Sequence, residues 1–152
     1  MKTFVTKVFL LLSFWQYSFT GYTQNNFIDS IEKVVNSENE DSTKIKELNK
    51  LSSTLLDSGD YKKAMKYANL ALSISEKIDF DKGKGNAHDN IGNIFLAQNN
   101  YYEAINNFLA ALKIWLAIGE KFAIALSYDN IGYTYNALGD YPNALKFFLE
   151  AI

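Results

Sequence analysis

Three short strings, Gly59-Asp60-Tyr61, Asn99-Asn100-Tyr101 and Gly139-Asp140-Tyr141, recur in this sequence at intervals of 40 residues. The register around them holds without a gap. Leu51, Ile91 and Ile131 correspond, as do Leu55, Phe95 and Tyr135, and then Ala64, Ala104 and Ala144. Ala68, Phe108 and Phe148 form the next class, and Ala71, Ala111 and Ala151 the one after. Between residues 85–112 and 125–152, ten of 28 positions are identical, so the similarity extends well beyond the strings themselves. A fixed period of this size marks a solenoid, in which each unit covers the apolar face of its neighbour.

Each period holds two amphipathic helices. In the second unit Ala87, Ile91, Ile94, Phe95 and Leu96 lie on one helix, which Asn99-Asn100 ends. Ala104, Ile105, Phe108, Leu109, Ala111, Leu112 and Trp115 then follow helical spacing on the next. Small residues are expected to meet where the two helices cross, Gly92 on the first against Ala104 and Ala111 on the second. The single proline, Pro142, falls in the first turn of the last helix, where its missing N–H has no intrahelical partner to lose. The predicted fold class is all-α, a helix-turn-helix solenoid of about three 40-residue units.

The string Asn90-Ile-Gly-x-x-Phe95-x-x-x-Asn99-Asn-Tyr101-x-x-Ala104-x-x-x-Phe108-x-x-Ala111, with its counterpart from Asn130 to Ala151, resembles the tetratricopeptide repeat. The first unit, from Leu51 to Ala71, departs most from the pattern. It has Ser52 in the small-residue slot and Ala68 in the aromatic slot. The usual unit of that family is 34 residues, so a period of 40 implies longer helices. The resemblance covers residues 45–152 and implies a non-catalytic scaffold that binds a protein or an extended peptide segment. The expected units are 44–80, 81–120 and 121–152, the last of them truncated.

The N-terminus reads differently. Lys2 and Lys7 precede an apolar run at residues 8–15, and Gly21-Tyr22-Thr23 supplies a small-x-small cleavage site. That order is the pattern of a signal peptide over residues 1–23. The run is shorter than the roughly 20 apolar residues that span a bilayer, which ranks a cleaved signal above an uncleaved anchor. The expectation is an exported protein, periplasmic or envelope-associated, whose mature chain starts at Gln24. Residues 24–43 form a lead-in, a short amphipathic helix carrying Phe27, Ile28, Ile31, Val34 and Val35 followed by a polar linker whose Ser and Asp residues cap the next helix. This order, with Asp29-Ser30-Ile31 and then Asp41-Ser42-Thr43-Lys44, is similar to the N-terminal segments of bacterial tetratricopeptide-bearing sensor histidine kinases and related regulators. That likeness implies a sensory input region for signal transduction in a longer parent chain, which would also carry any membrane tether. Phe147, Phe148 and Leu149 stand where a solenoid normally has a polar capping face. Two expectations follow: the chain is a fragment, or this face mediates self-association.

Composition excludes most chemistry. Cysteine is absent, which removes disulfides and thiolate zinc sites. One histidine cannot build a metal cluster, and a net charge of -2 provides no basic surplus for nucleic acid. No cofactor is implied. His88 aligns with Leu48 and Tyr128 and reads as a packing residue. Lys82-Gly83-Lys84-Gly85 lacks the spacing and the Lys-Ser/Thr end of a phosphate loop and reads as a frayed helix start.

In the tetratricopeptide family the first helix of each unit lines the concave surface. The resemblance therefore puts Asn49, Lys50 and Ser53, then Asn86, Asp89, Asn90 and Asn93, then Asp129, Asn130, Tyr133 and Asn136 on a peptide-binding face. Asn90 and Asn130 are equivalent, and a carboxamide can both donate to and accept from an extended peptide backbone. A clamp for a terminal carboxylate needs converging cations; Lys50 is matched by Asn90 and Asn130, which argues against one. Asp89 and Asp129 make the expected groove mildly acidic, suited to a neutral or basic segment.

Overall fold

Five residues with left-handed backbone, Gly59, Asp79, Asn99, Gly119 and Gly139, punctuate the chain every 20 residues. The computed structural model describes residues 41–152; the expected signal peptide and nearly all of the lead-in lie outside the described residues. Six helices run between the punctuation marks: α1 Ser42–Asp57, α2 Tyr61–Lys77, α3 Asp81–Ala97, α4 Tyr101–Ile118, α5 Lys121–Leu138 and α6 Tyr141–Glu150. No strand occurs among the described residues. The all-α repeat solenoid is what the structure contains.

The recurring strings act through their backbone chemistry. Gly59 and Gly139 take φ of 82° and 84°, a region closed to most side chains, and so end α1 and α5. Asn99 takes the same role at φ 58°, since an Asn side chain tolerates this region better than most. Asp60 and Asp140 then cap the following helices by accepting from the amides of Lys63 at 3.1 Å and Asn143 at 3.2 Å. Asn100, their counterpart, makes no such bond. Asp41 caps α1 by accepting from the Lys44 amide at 2.9 Å, so the linker supplies the cap expected of it. Pro142 sits in the first turn of α6.

Successive helices pack pairwise along the chain, and α1 also packs directly on α3; α3 and α5 do not pack to the same extent. Within the pairs, the crossing depends on a compensated exchange. A Cβ built on Gly92 would come within 2.6 Å of the Phe108 ring, and one on Gly132 within 2.8 Å of Phe148. The nearest atoms each glycine makes room for belong to the aromatic ring of the next helix. In the first unit Ser52 replaces the glycine and Ala68 the ring, and Ser52 Oγ donates to the Ala64 carbonyl at 2.9 Å. A side chain on one helix fills what the other leaves.

Gly83 and Gly85 correct the expectation of a frayed start to α3. Both are buried. A Cβ on Gly83 would meet Ile45 Cγ2 at 2.7 Å, and one on Gly85 the Trp115 indole at 2.5 Å. Lys84 beside them donates to Asp79 at 2.6 Å and Asp81 at 2.9 Å, so its charge is spent on a local ion pair. At the other end, Leu145 is 61% exposed where its counterpart Ile105 is 6% exposed, because α5 covers Ile105 and no described helix covers Leu145.

Candidate functional site: a groove across the first helices

The C-terminal halves of α1, α3 and α5 form one wall-to-wall surface. It holds a groove of about 650 Å³ lined by Ser53, Leu56 and Asp57 of α1, by Asn90, Asn93, Leu96 and Ala97 of α3, and by Tyr133 and Ala137 of α5. Tyr61 and Tyr101, the first residues of α2 and α4, and Asn99 complete it. A second hollow of similar size is lined, among the described residues, by α2 and its capping residue Asp60, with Lys62, Lys63 and Lys66 on it.

Four of the eleven expected residues, Ser53, Asn90, Asn93 and Tyr133, line the groove. The other seven do not. Lys50, Asn86, Asp129 and Asn136 are exposed, and Asn130 is half-buried, outside the groove lining. Asn49 is 7% exposed and lies in the α1–α3 junction, where its Nδ2 donates to the Gly83 carbonyl at 3.4 Å. Asp89 is also withdrawn. Its Oδ2 accepts from the Trp115 indole N–H at 2.9 Å, and its Oδ1 is buried without a hydrogen-bond partner. Burial pushes the Asp89 carboxyl up to about 7, and the indole bond offsets only part of that.

Asn90 corrects a second expectation. Its Nδ2 donates to the Asn49 carbonyl at 2.9 Å and to Asn49 Oδ1 at 3.2 Å, so both of its protons serve the fold. Only its carboxamide oxygen is left to offer a ligand. Ser53 Oγ likewise donates to its own helix, to the Lys50 carbonyl at 2.9 Å. His88 keeps the packing role expected of it, with Nδ1 3.1 Å from Asn107 Oδ1 across the α3–α4 pair.

Reasoning from spacing missed Asp57 and the two tyrosines. Tyr61 and Tyr101 were legible as a repeated residue, but they belong to the second helix of each unit, whereas the expected face was drawn from the first helices alone. Tyr101 OH donates to Asn99 Oδ1 at 3.0 Å, which ties this ring to the turn. Asp57 occupies the last turn of α1. A carboxylate there opposes the helix macrodipole, at about 0.3–1 kcal/mol, and it adds its charge to the negative ends of three helices converging on the groove. Among the described residues no Lys or Arg lines the groove. Among the described residues no cluster of His, Asp or Glu could hold a metal ion, and no helix is long and apolar enough to cross a membrane.

Comparison with known proteins points the same way. A tetratricopeptide-repeat family model matches residues 83–152 and a second matches residues 48–78. The chain is 37% identical over 81 residues to the uncharacterized protein ycf37 of Guillardia theta, covering 53% of this chain and 45% of that protein. It thus spans less than half the length of that relative. The tetratricopeptide domain of Arabidopsis FLU superposes with a TM-score of 0.66 at 25% identity, covering 70% of this chain and 90% of that domain. A Rap protein in complex with competence and sporulation factor gives 0.70 at 24% identity, covering 88% of this chain and 39% of that one. This last likeness is one of fold alone.

Proposed function

Since the chain is an array of tetratricopeptide repeats, we propose that it is a binding scaffold whose groove across α1, α3 and α5 holds an extended protein segment through a basic side chain. The carrying observation is the groove's lining: among the described residues Asp57 is its one charged residue, and Tyr61, Tyr101 and Tyr133 add aromatic faces. A Lys or Arg set there meets a carboxylate, helix C-terminal ends and rings that attract cations. Asn93 and the Asn90 carboxamide oxygen serve the peptide backbone. The Rap protein complexed with competence and sporulation factor lends this reading a precedent in the same fold. The scaffold does no chemistry of its own.

Fluorescent decapeptides of Ala and Ser with one central Arg or one central Glu supply the test. The Arg set should bind more tightly, and Asp57→Asn should reduce the difference about tenfold. Tyr133→Ala should weaken the Arg set by about 0.5–1 kcal/mol, and raised salt should weaken it further. Equal affinity of both sets for the unsubstituted protein would falsify the basic-segment reading.

The wider reading is that the protein is exported and that the array is the input region of a longer signalling chain of the sensor-kinase kind. Lys2, Lys7 and the apolar run at residues 8–15 support the first part, and the order of Asp29-Ser30-Ile31 and Asp41-Ser42-Thr43-Lys44 ahead of the repeats supports the second. Intact-mass and terminal-peptide analysis of the protein from its native host addresses both. The expected N-terminus is near Gln24, and peptides from beyond Ile152 are expected in the same chain. A soluble species that starts at Met1 and stops at Ile152 would refute the pair.

A further inference from the structure

The two junctions between successive units are built from equivalent positions and differ in outcome. At the first, Asn90 Nδ2 bonds the Asn49 carbonyl and Oδ1, and Asn49 Nδ2 bonds the Gly83 carbonyl. Forty residues on, the same positions hold Asn130, Asp89 and Ala123. There the Asp89 Oδ1 is buried and unpartnered. The donor that the repeat assigns to it, Asn130 Nδ2, does not bond it; Asn130 accepts the Thr134 hydroxyl through its main-chain oxygen at 2.7 Å.

Volume explains the difference. α3 seats on α1 because Gly83 has no Cβ to strike Ile45 and because Ser75 is small. In the next unit the counterparts are Ala123, Ala125 in place of Gly85, and Trp115 in place of Ser75. The Ala123 methyl and the Trp115 indole stand at the positions where the first junction has Gly83 and Ser75, and α3 and α5 pack less closely than α1 and α3. Asp89 also lacks the N–H with which Asn49 reaches across.

We propose that the α3–α5 junction is a joint with two positions: the open one described, and a closed one in which Asn130 Nδ2 donates to the Asp89 carbonyl and Oδ1 as Asn90 does to Asn49. A buried carboxylate oxygen without a donor favours closing. Crowding at the Ala123 methyl and the Trp115 indole favours opening. Asn93, Leu96 and Ala97 stand on one side of this joint and Tyr133 and Ala137 on the other, so closing narrows the groove.

The chain has no cysteine, and Lys46, Asn86 and Leu126 are equivalent, exposed positions on α1, α3 and α5. Nitroxides on Lys46→Cys with Asn86→Cys report the first junction, and on Asn86→Cys with Leu126→Cys the second, through dipolar broadening. No ligand is needed, so the result is independent of what the groove binds. The first pair should give one narrow distance and the second pair two. Asn130→Ala should abolish the shorter. The doubly labelled protein with Asp89 and Asn130 intact decides the matter even where a variant folds poorly. A single distance at the second junction, or two distances indifferent to Asn130→Ala, overturns the proposal.

Discussion

Truncating Phe108 to Ala is expected to lower unfolding stability by about 3–5 kcal/mol, the usual loss for a large aromatic removed from a closed core. Phe108 is fully buried and its ring occupies the space left by Gly92. The first unit solves the same crossing with Ser52 and Ala68. Transplanting that solution gives a sharper test than truncation alone. Gly92→Ser in the unsubstituted protein should cost about 1–3 kcal/mol, because its Cβ would sit 2.6 Å from the ring. In the Phe108→Ala background the same change should stabilise by about 1 kcal/mol, with the new hydroxyl bonding the Ala104 carbonyl. Urea unfolding of the four proteins measures the cycle. The same sign for Gly92→Ser in both backgrounds would show that the two positions do not share the crossing.

Asp89→Asn is expected to stabilise the protein at pH 8 by on the order of 4 kcal/mol, the free-energy equivalent of moving a carboxyl from 3.8 to about 7. Below pH 4 it should change little. The folded state holds the Asp89 proton more tightly than the unfolded state does. Stability therefore falls as pH rises from about 4 to about 7, and the full cost persists above that. Asn removes the charge and keeps an acceptor for the Trp115 indole; it is also the residue the first unit carries, as Asn49. Unfolding midpoints from pH 4 to pH 8 check this. Parallel profiles for the two proteins would mean that Asp89 ionises like an ordinary carboxyl.

The sequence by itself determined the 40-residue period, the six helices and their turns, because each of these rests on chemistry within a few residues. A glycine or asparagine with left-handed backbone, an aspartate cap and apolar residues at helical spacing need no distant partner to be read. It also marked Ser52 and Ala68 as one departure from the pattern, and their joint exchange is what keeps the first crossing filled. Which face of a first helix meets the groove and which meets the next unit was decided only in three dimensions. Asn49 and Asp89 look like groove residues by spacing, and Asn90 and Asn130 look interchangeable. Yet Asn49 and Asp89 are withdrawn into the junctions, Asn90 is spent on Asn49, and Asn130 is not. Periodicity orients a helix toward its own partner, whereas the seating of one unit on the next follows from volume at Gly83 and Ser75 against Ala123 and Trp115. Those positions lie far along the chain from the asparagines whose bonds they permit or prevent, and only close packing brings them to bear on one another.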